Sequence, residues 1–171
     1  MNKRNRQRGA AVVEFAILIG LLLVFLFGIF EFGFLWLESS YIVGAAREGA
    51  RTAAKIAGTT SADVDKRQEV AEQAVEEYLR SLFLFADKID KPDQYPAFLT
   101  TTYTRNPERL LTVTADGETI IVPMAEVTVK VNTAMVWEPV LWPLLSALIP
   151  GVDHDSSKLR ELTQSAAYAI Q

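Results

Sequence analysis

The alternation of apolar and polar positions divides the chain into a long apolar run, an amphipathic stretch of helical period and a stretch of period two. Lys3, Arg4, Arg6 and Arg8 lead in, with no acidic residue among them. From Phe15 to Phe30, sixteen residues carry no charge and no polar side chain; Glu31 interrupts, and Phe32 to Leu37 continue apolar up to Glu38. As a helix the uninterrupted part spans roughly 24 Å. With Ala10 to Val13 and Phe32 to Leu37 added, it exceeds the ~30 Å of a bilayer's hydrocarbon core. The pattern predicts a membrane-spanning helix. Its four preceding cations predict a cytoplasmic N-terminus and an exported remainder. The apolar core is longer than the ~7–15 residues of a cleaved secretory signal, and no small-x-small cleavage site follows it before Glu38.

Beyond the apolar run the helical pattern continues to about Ala57, rich in small residues. Ala45 and Gly49, Ala46 and Ala50, and Gly49 and Ala53 stand four apart, a spacing that lets another helix approach closely. A packing face against the chain's own domain is the equal alternative. Arg47, Glu48 and Arg51 fall on a solvated side. Gly58-Thr59-Thr60-Ser61 breaks the helix, and Thr60 with Asp63 reads as the cap of a second one running to about Phe85. Val64, Ala71, Ala74, Val75, Tyr78, Leu79, Leu82 and Phe83 give it an apolar stripe opposite Lys66, Arg67, Glu69, Glu72, Glu76 and Glu77. Asp87 to Pro96 reads as a loop. The period then changes to two. Phe98 to Thr104, Leu110 to Thr114, Glu118 to Val122 and Ala125 to Val131 read as strands, with Asp116-Gly117 as a hairpin turn. Leu159 to Ile170 is compatible with an edge strand and with a helix. The expected class is α+β: a long N-terminal membrane helix extending into solvent, and a second amphipathic helix packed on a small antiparallel sheet.

Composition narrows the function. The 171 residues suit one exported domain behind one anchor, divided as 1–9, 10–57 and 58–171. No cysteine is present, so disulfides and thiolate metal sites are excluded. The formal charge is −4; without the four leader cations Ala10 to Gln171 carries −8, a poor balance for binding nucleic acid. With a single histidine, no phosphate loop and no nucleophile elbow, no enzyme activity and no cofactor is expected. Asp153-His154-Asp155 is too common a composition to predict a metal site. Trp137 to Ile149, apolar but interrupted by Pro139 and Pro143, is too short to span a bilayer. It fits a core helix, a membrane-surface contact beside the anchor, or a docking patch.

Glu14 is the odd residue of the apolar run, since a carboxylate there is disfavoured. Its context is Gly9, the small or aliphatic residues Ala10 to Val13, then Glu14 and Phe15. This resembles the processing site of Flp-type type IV prepilins, in which a peptidase cuts after glycine and a glutamate lies fifth in the mature chain. Glu31-Phe32-Gly33 and Ala45-Ala46-Arg47-Glu48-Gly49-Ala50-Arg51 resemble the N-terminal region of the TadE-like family of the tight-adherence (Tad) pilus system. The likeness runs from Arg8 to Ala54. It implies cleavage between Gly9 and Ala10, and a new ammonium on Ala10 to neutralise Glu14, in its own chain or a neighbour's. It implies a minor pilin or pseudopilin in the bacterial inner membrane and in surface pili, with the prepilin peptidase, other pilin subunits and Tad assembly proteins as partners. Major subunits of that class are very short, so a chain with a globular domain is expected to start or cap the filament. Glu31 is then a second register point or the outer membrane boundary. The rival expectation is an unprocessed single-pass protein whose exported domain binds an envelope partner. A type II secretion pseudopilin fits less well, because those leaders usually have phenylalanine where this chain has Ala10.

Overall fold

The computed structural model describes residues 3–58, 60–95, 97–115, 118–136, 141 and 161–170, with backbone alone at 3–10 and 106–122. Its elements are α1 (Lys3–Ala54), α2 (Ser61–Arg80), α3 (Phe83–Ile89), β1 (Leu99–Ala115), β2 (Glu118–Asn132), a 3₁₀ turn (Thr133–Met135) and β3 (Glu161–Ala169). The architecture is α+β, as expected. The chain divides into two compact units: one of residues 1–36 and 139–154, the other of 37–138 and 155–171.

In the first unit α1 carries the apolar run. Twenty large apolar side chains between Val12 and Leu37 are exposed on it. Leaving that many in water would cost on the order of 30 kcal/mol even at ~1.5 kcal/mol per side chain. Among the described residues one helix, within Ala11–Ala54, is long and apolar enough to cross a membrane. Its exposed apolar surface and length fit single-pass anchoring.

The second unit is an antiparallel sheet of order β1-β2-β3, carrying helices on its apolar face. β2 supplies the floor: Ala125, Val127, Val129 and Val131 alternate along it and are fully buried. The end of α1 adds Ile42, Ala45, Ala46, Ala50 and Ala53, and α2 adds Ala71, Val75 and Leu79 to the same core. β1 pairs with β2 from Leu99↔Val131 to Ala115↔Glu118, so two residues close the hairpin. Those two, Asp116 and Gly117, lie outside the described residues. β1 runs on as one long strand where the sequence suggested two, with a register irregularity between Asn106 and Leu111. The final segment is a strand, β3, paired with β2 from Asn132↔Glu161 to Met124↔Ala169.

α2 begins at the expected cap. The Thr60 backbone N–H donates to Asp63 Oδ2 at 2.9 Å, and the Asp63 N–H donates to Thr60 Oγ1 at 3.3 Å. It ends sooner than the stripe suggested. Ser81 caps it through its N–H to Glu77 O, Leu82 turns extended, and α3 starts at Phe83 and runs to Ile89, into the expected loop. The break trades one phenylalanine for another. Phe83 is exposed, whereas Phe85 is buried with its ring centroid 6.2 Å from those of Tyr41 and Phe98.

A second difference concerns Arg67, assigned above to the solvated face but fully buried. Its Nη2 donates to Ile56 O at 2.5 Å and to Gly58 O at 2.8 Å, and Nε donates to Ile56 O at 3.2 Å. Those carbonyls lie just past α1, where backbone acceptors lack helical partners and a cation meets the helix's negative end. Gly58 holds φ +111°, and a Cβ there would collide with the Asp63 carboxylate. Only glycine makes this turn without strain.

Candidate functional site

The processing, register and helix-packing residues singled out from the sequence all fall on α1. Gly9 and Ala10 lie within the helix. Glu14 is exposed one turn beyond Ala10, and Phe15 is 63% exposed beside it. The carboxylate and any amine created at Ala10 would stand at i and i+4 on one face, a spacing that favours opposite charges.

Glu31 is half-buried and has a specific partner. The backbone N–H of Leu141 donates to Glu31 Oε1 at 2.5 Å. Leu141 lies beside Gly28, where an added Cβ would stand 3.5 Å from its Cδ1. Val24, Phe25, Ile29, Phe32 and Gly33 complete the groove around it. Leu141 is the one residue of Trp137 to Ile149 among those described.

The small-residue face of α1 is used within the second unit. Ala45, Ala46, Gly49, Ala50 and Ala53 are all buried. A Cβ at Gly49 would meet Val75 Cγ2 at 2.8 Å, Val127 Cγ1 at 3.2 Å and the Ala71 carbonyl at 3.3 Å. The close approach permitted by the four-residue spacing is therefore made by the chain's own α2 and β2. Glu38, the polar residue ending the apolar run, is fully buried. Ser39 Oγ accepts from Gln164 Nε2 of β3 at 3.2 Å. On the outer side Arg51 Nε donates to Glu48 Oε2 at 2.9 Å. That ion pair holds the Glu48 carboxyl below the usual carboxylate range.

Away from α1, a cavity of about 150 Å³ is lined by Glu76, Lys88, Ile89, Tyr95, Phe98 and neighbours. Lys88 Nζ donates to Tyr95 Oη at 2.9 Å, with the ring centroid 4.0 Å away. The hydroxyl, with Asp87 nearby, pushes the ammonium's pKa up. This arrangement ties α3 to the following loop. Among the described residues no group of three His, Asp or Glu side chains is placed to hold a metal ion. Asp153, His154 and Asp155 lie outside them.

Glu31–Leu141 was invisible to spacing arguments, the two residues being 110 positions apart. Arg67 carried a faint signal, since it stands one turn before Ala71 on the buried stripe. Residues 9–51 match the model of a family described as TadE-like protein. No curated protein and no solved structure matched the chain.

Proposed function

We propose that this chain, TadE-like over residues 9–51, works as a minor pilin in assembly of a bacterial Tad pilus. The observation that carries the reading is the form of α1. One helix bears an exposed apolar span with an acid near its start, and its other end is bound into an α+β core. In this reading a prepilin peptidase cuts after Gly9, and the basic leader keeps the N-terminus cytoplasmic until then. Ala10 becomes the N-terminus, and the domain from residue 58 onward is exported from the inner membrane. The subunit then leaves the bilayer for the filament start or tip, exchanging lipid contacts for neighbouring helices along Phe15 to Leu37.

Glu14 sets the axial register. In low dielectric its carboxylate and the Ala10 ammonium of its own chain or a neighbour are cheaper together than apart. The buried alanines from Ala45 to Ala53 pack the last turns of α1 into the core of the second unit. Other pilins, Tad assembly proteins and the peptidase are the partners, and the chain is not an enzyme. The test is Glu14→Ala in the native host, with surface pili counted and the protein quantified in membranes. The account expects piliation to fall sharply at unchanged protein level; normal piliation at normal protein level overturns the role of Glu14.

A further inference from the structure

We propose that the basic outer face at the end of α1, formed by Arg47, Arg51 and Lys55, docks the acidic face of α2 on a second copy of this chain. The three cations recur every four residues and are all exposed. That spacing puts them in one stripe, on the side of the helix away from the buried Ala45, Gly49 and Ala53. Arg51, in the middle, is held by Glu48. Arg47 and Lys55 flank it about 12 Å apart along the helix axis, and among the described residues neither is in an ion pair.

The matching surface is on the same unit. Asp65, Glu69, Glu72 and Glu76 stand at i, i+4, i+7 and i+11 of α2 and are all exposed, one acidic stripe along the helix. Like charges at these spacings repel one another within the helix. The cations of α2 do little to relieve them: Arg67 is buried on backbone carbonyls and Arg80 is paired with Asp90 at 2.8 Å, which leaves Lys66. Among the described residues none of the four acids is in an ion pair. Glu69 and Glu76 are about 10 Å apart along α2, close to the separation of Arg47 and Lys55 on α1. Two such helices laid side by side therefore bring both outer cations onto carboxylates. Charge also selects the orientation. Ala10 to Gln171 carries −8, so most other encounters between two copies set acid against acid. Each exposed pair contributes little alone, but anchoring both copies in one membrane raises their effective concentration. The contact goes beyond the pilus reading and does not depend on it.

Sedimentation velocity of the full-length chain in an uncharged detergent at neutral pH tests this. Self-association is expected, weakening roughly tenfold as salt rises from about 50 to about 500 mM. Arg47→Glu with Lys55→Glu, and separately Glu69→Lys with Glu76→Lys, should each weaken it by roughly tenfold or more, since attraction becomes repulsion. Mixed in equal amounts, these two variants are expected to associate with each other, and the chain carrying all four substitutions to associate with itself as wild type does. Both results require folded protein, so misfolding cannot imitate them. Arg47→Gln with Lys55→Gln, which adds no repulsion, should fall between wild type and the reversed pair. A wild-type chain that stays monomeric at low salt overturns the proposal, as does association indifferent to salt, which is what contact through the apolar span would give. Failure of the two reversed variants to pair when mixed overturns it as well. Association that appears only when phosphatidylglycerol is added assigns the α1 stripe to lipid and likewise overturns it.

Discussion

Two glycines in the second unit share a helix and differ in surroundings, which makes them an internal control for how α1 packs. Replacing either by alanine raises helix propensity by about 1 kcal/mol. At Gly44 the new methyl meets only the outer part of the half-buried Tyr78 ring, which can swing toward solvent. Gly44→Ala is expected to be neutral to slightly stabilising. At Gly49 the methyl meets Val75 Cγ2 at 2.8 Å and the Ala71 carbonyl at 3.3 Å. Val75 is fully buried and β-branched, so neither it nor the α2 backbone yields cheaply. Overpacking of this kind costs ~1–3 kcal/mol. Propensity cancels in the comparison, so Gly49→Ala should be less stable than Gly44→Ala by about 2 kcal/mol. That corresponds to a Tm lower by roughly 5–10 °C for a domain of this size. Full-length protein in detergent, followed by near-ultraviolet circular dichroism on heating, reads the difference. Equal melting of the two variants, or a more stable Gly49→Ala, would refute the packing of α1 against α2 and β2.

Arg67→Ala removes the donors held by the Ile56 and Gly58 carbonyls and opens a cavity; a loss of ~2–4 kcal/mol is expected by urea unfolding, and Arg67→Lys should recover only part of it because an ammonium lacks the guanidinium's fork. Thr60→Ala removes the α2 cap and should cost about 1 kcal/mol in the same assay. The cap also predicts a pH response. The Thr60 hydroxyl and N–H, donating to the Asp63 carboxylate, hold its pKa below the ordinary aspartate value. A depressed folded pKa gives stability that is complete above the unfolded value and lost as pH falls through the folded one. Stability should therefore fall below about pH 4, and the slope there should be shallower in Thr60→Ala than in wild type; identical slopes would count against the cap.

The parts of this fold that were readable are those set by local rules. The apolar run of α1, the Thr60–Asp63 cap, the β1–β2 hairpin pairing and the alternation of Ala125 to Val131 each follow from a period or a turn preference. The parts that escaped depend on partners distant in sequence. Arg67 sits on the buried stripe of α2, but its charge hid it until two carbonyls beyond α1 supplied acceptors. Phe83 and Phe85 are equally apolar, and the turn at Ser81 and Leu82 decides which enters the core. For the small residues from Ala45 to Ala53 spacing shows that something packs closely, and the tertiary structure shows that it is the chain's own α2 and β2. Glu31 reads from sequence as an isolated acid in an apolar run, because its donor is the Leu141 backbone.

The central claim is that leader removal creates an amine for Glu14, and the intact mass of the chain in sheared pili tests it most directly. The account predicts a chain that starts at Ala10 in cells carrying the peptidase, with the full-length precursor accumulating in membranes when the peptidase is deleted. A chain that retains Met1 to Gly9 in assembled pili would contradict it.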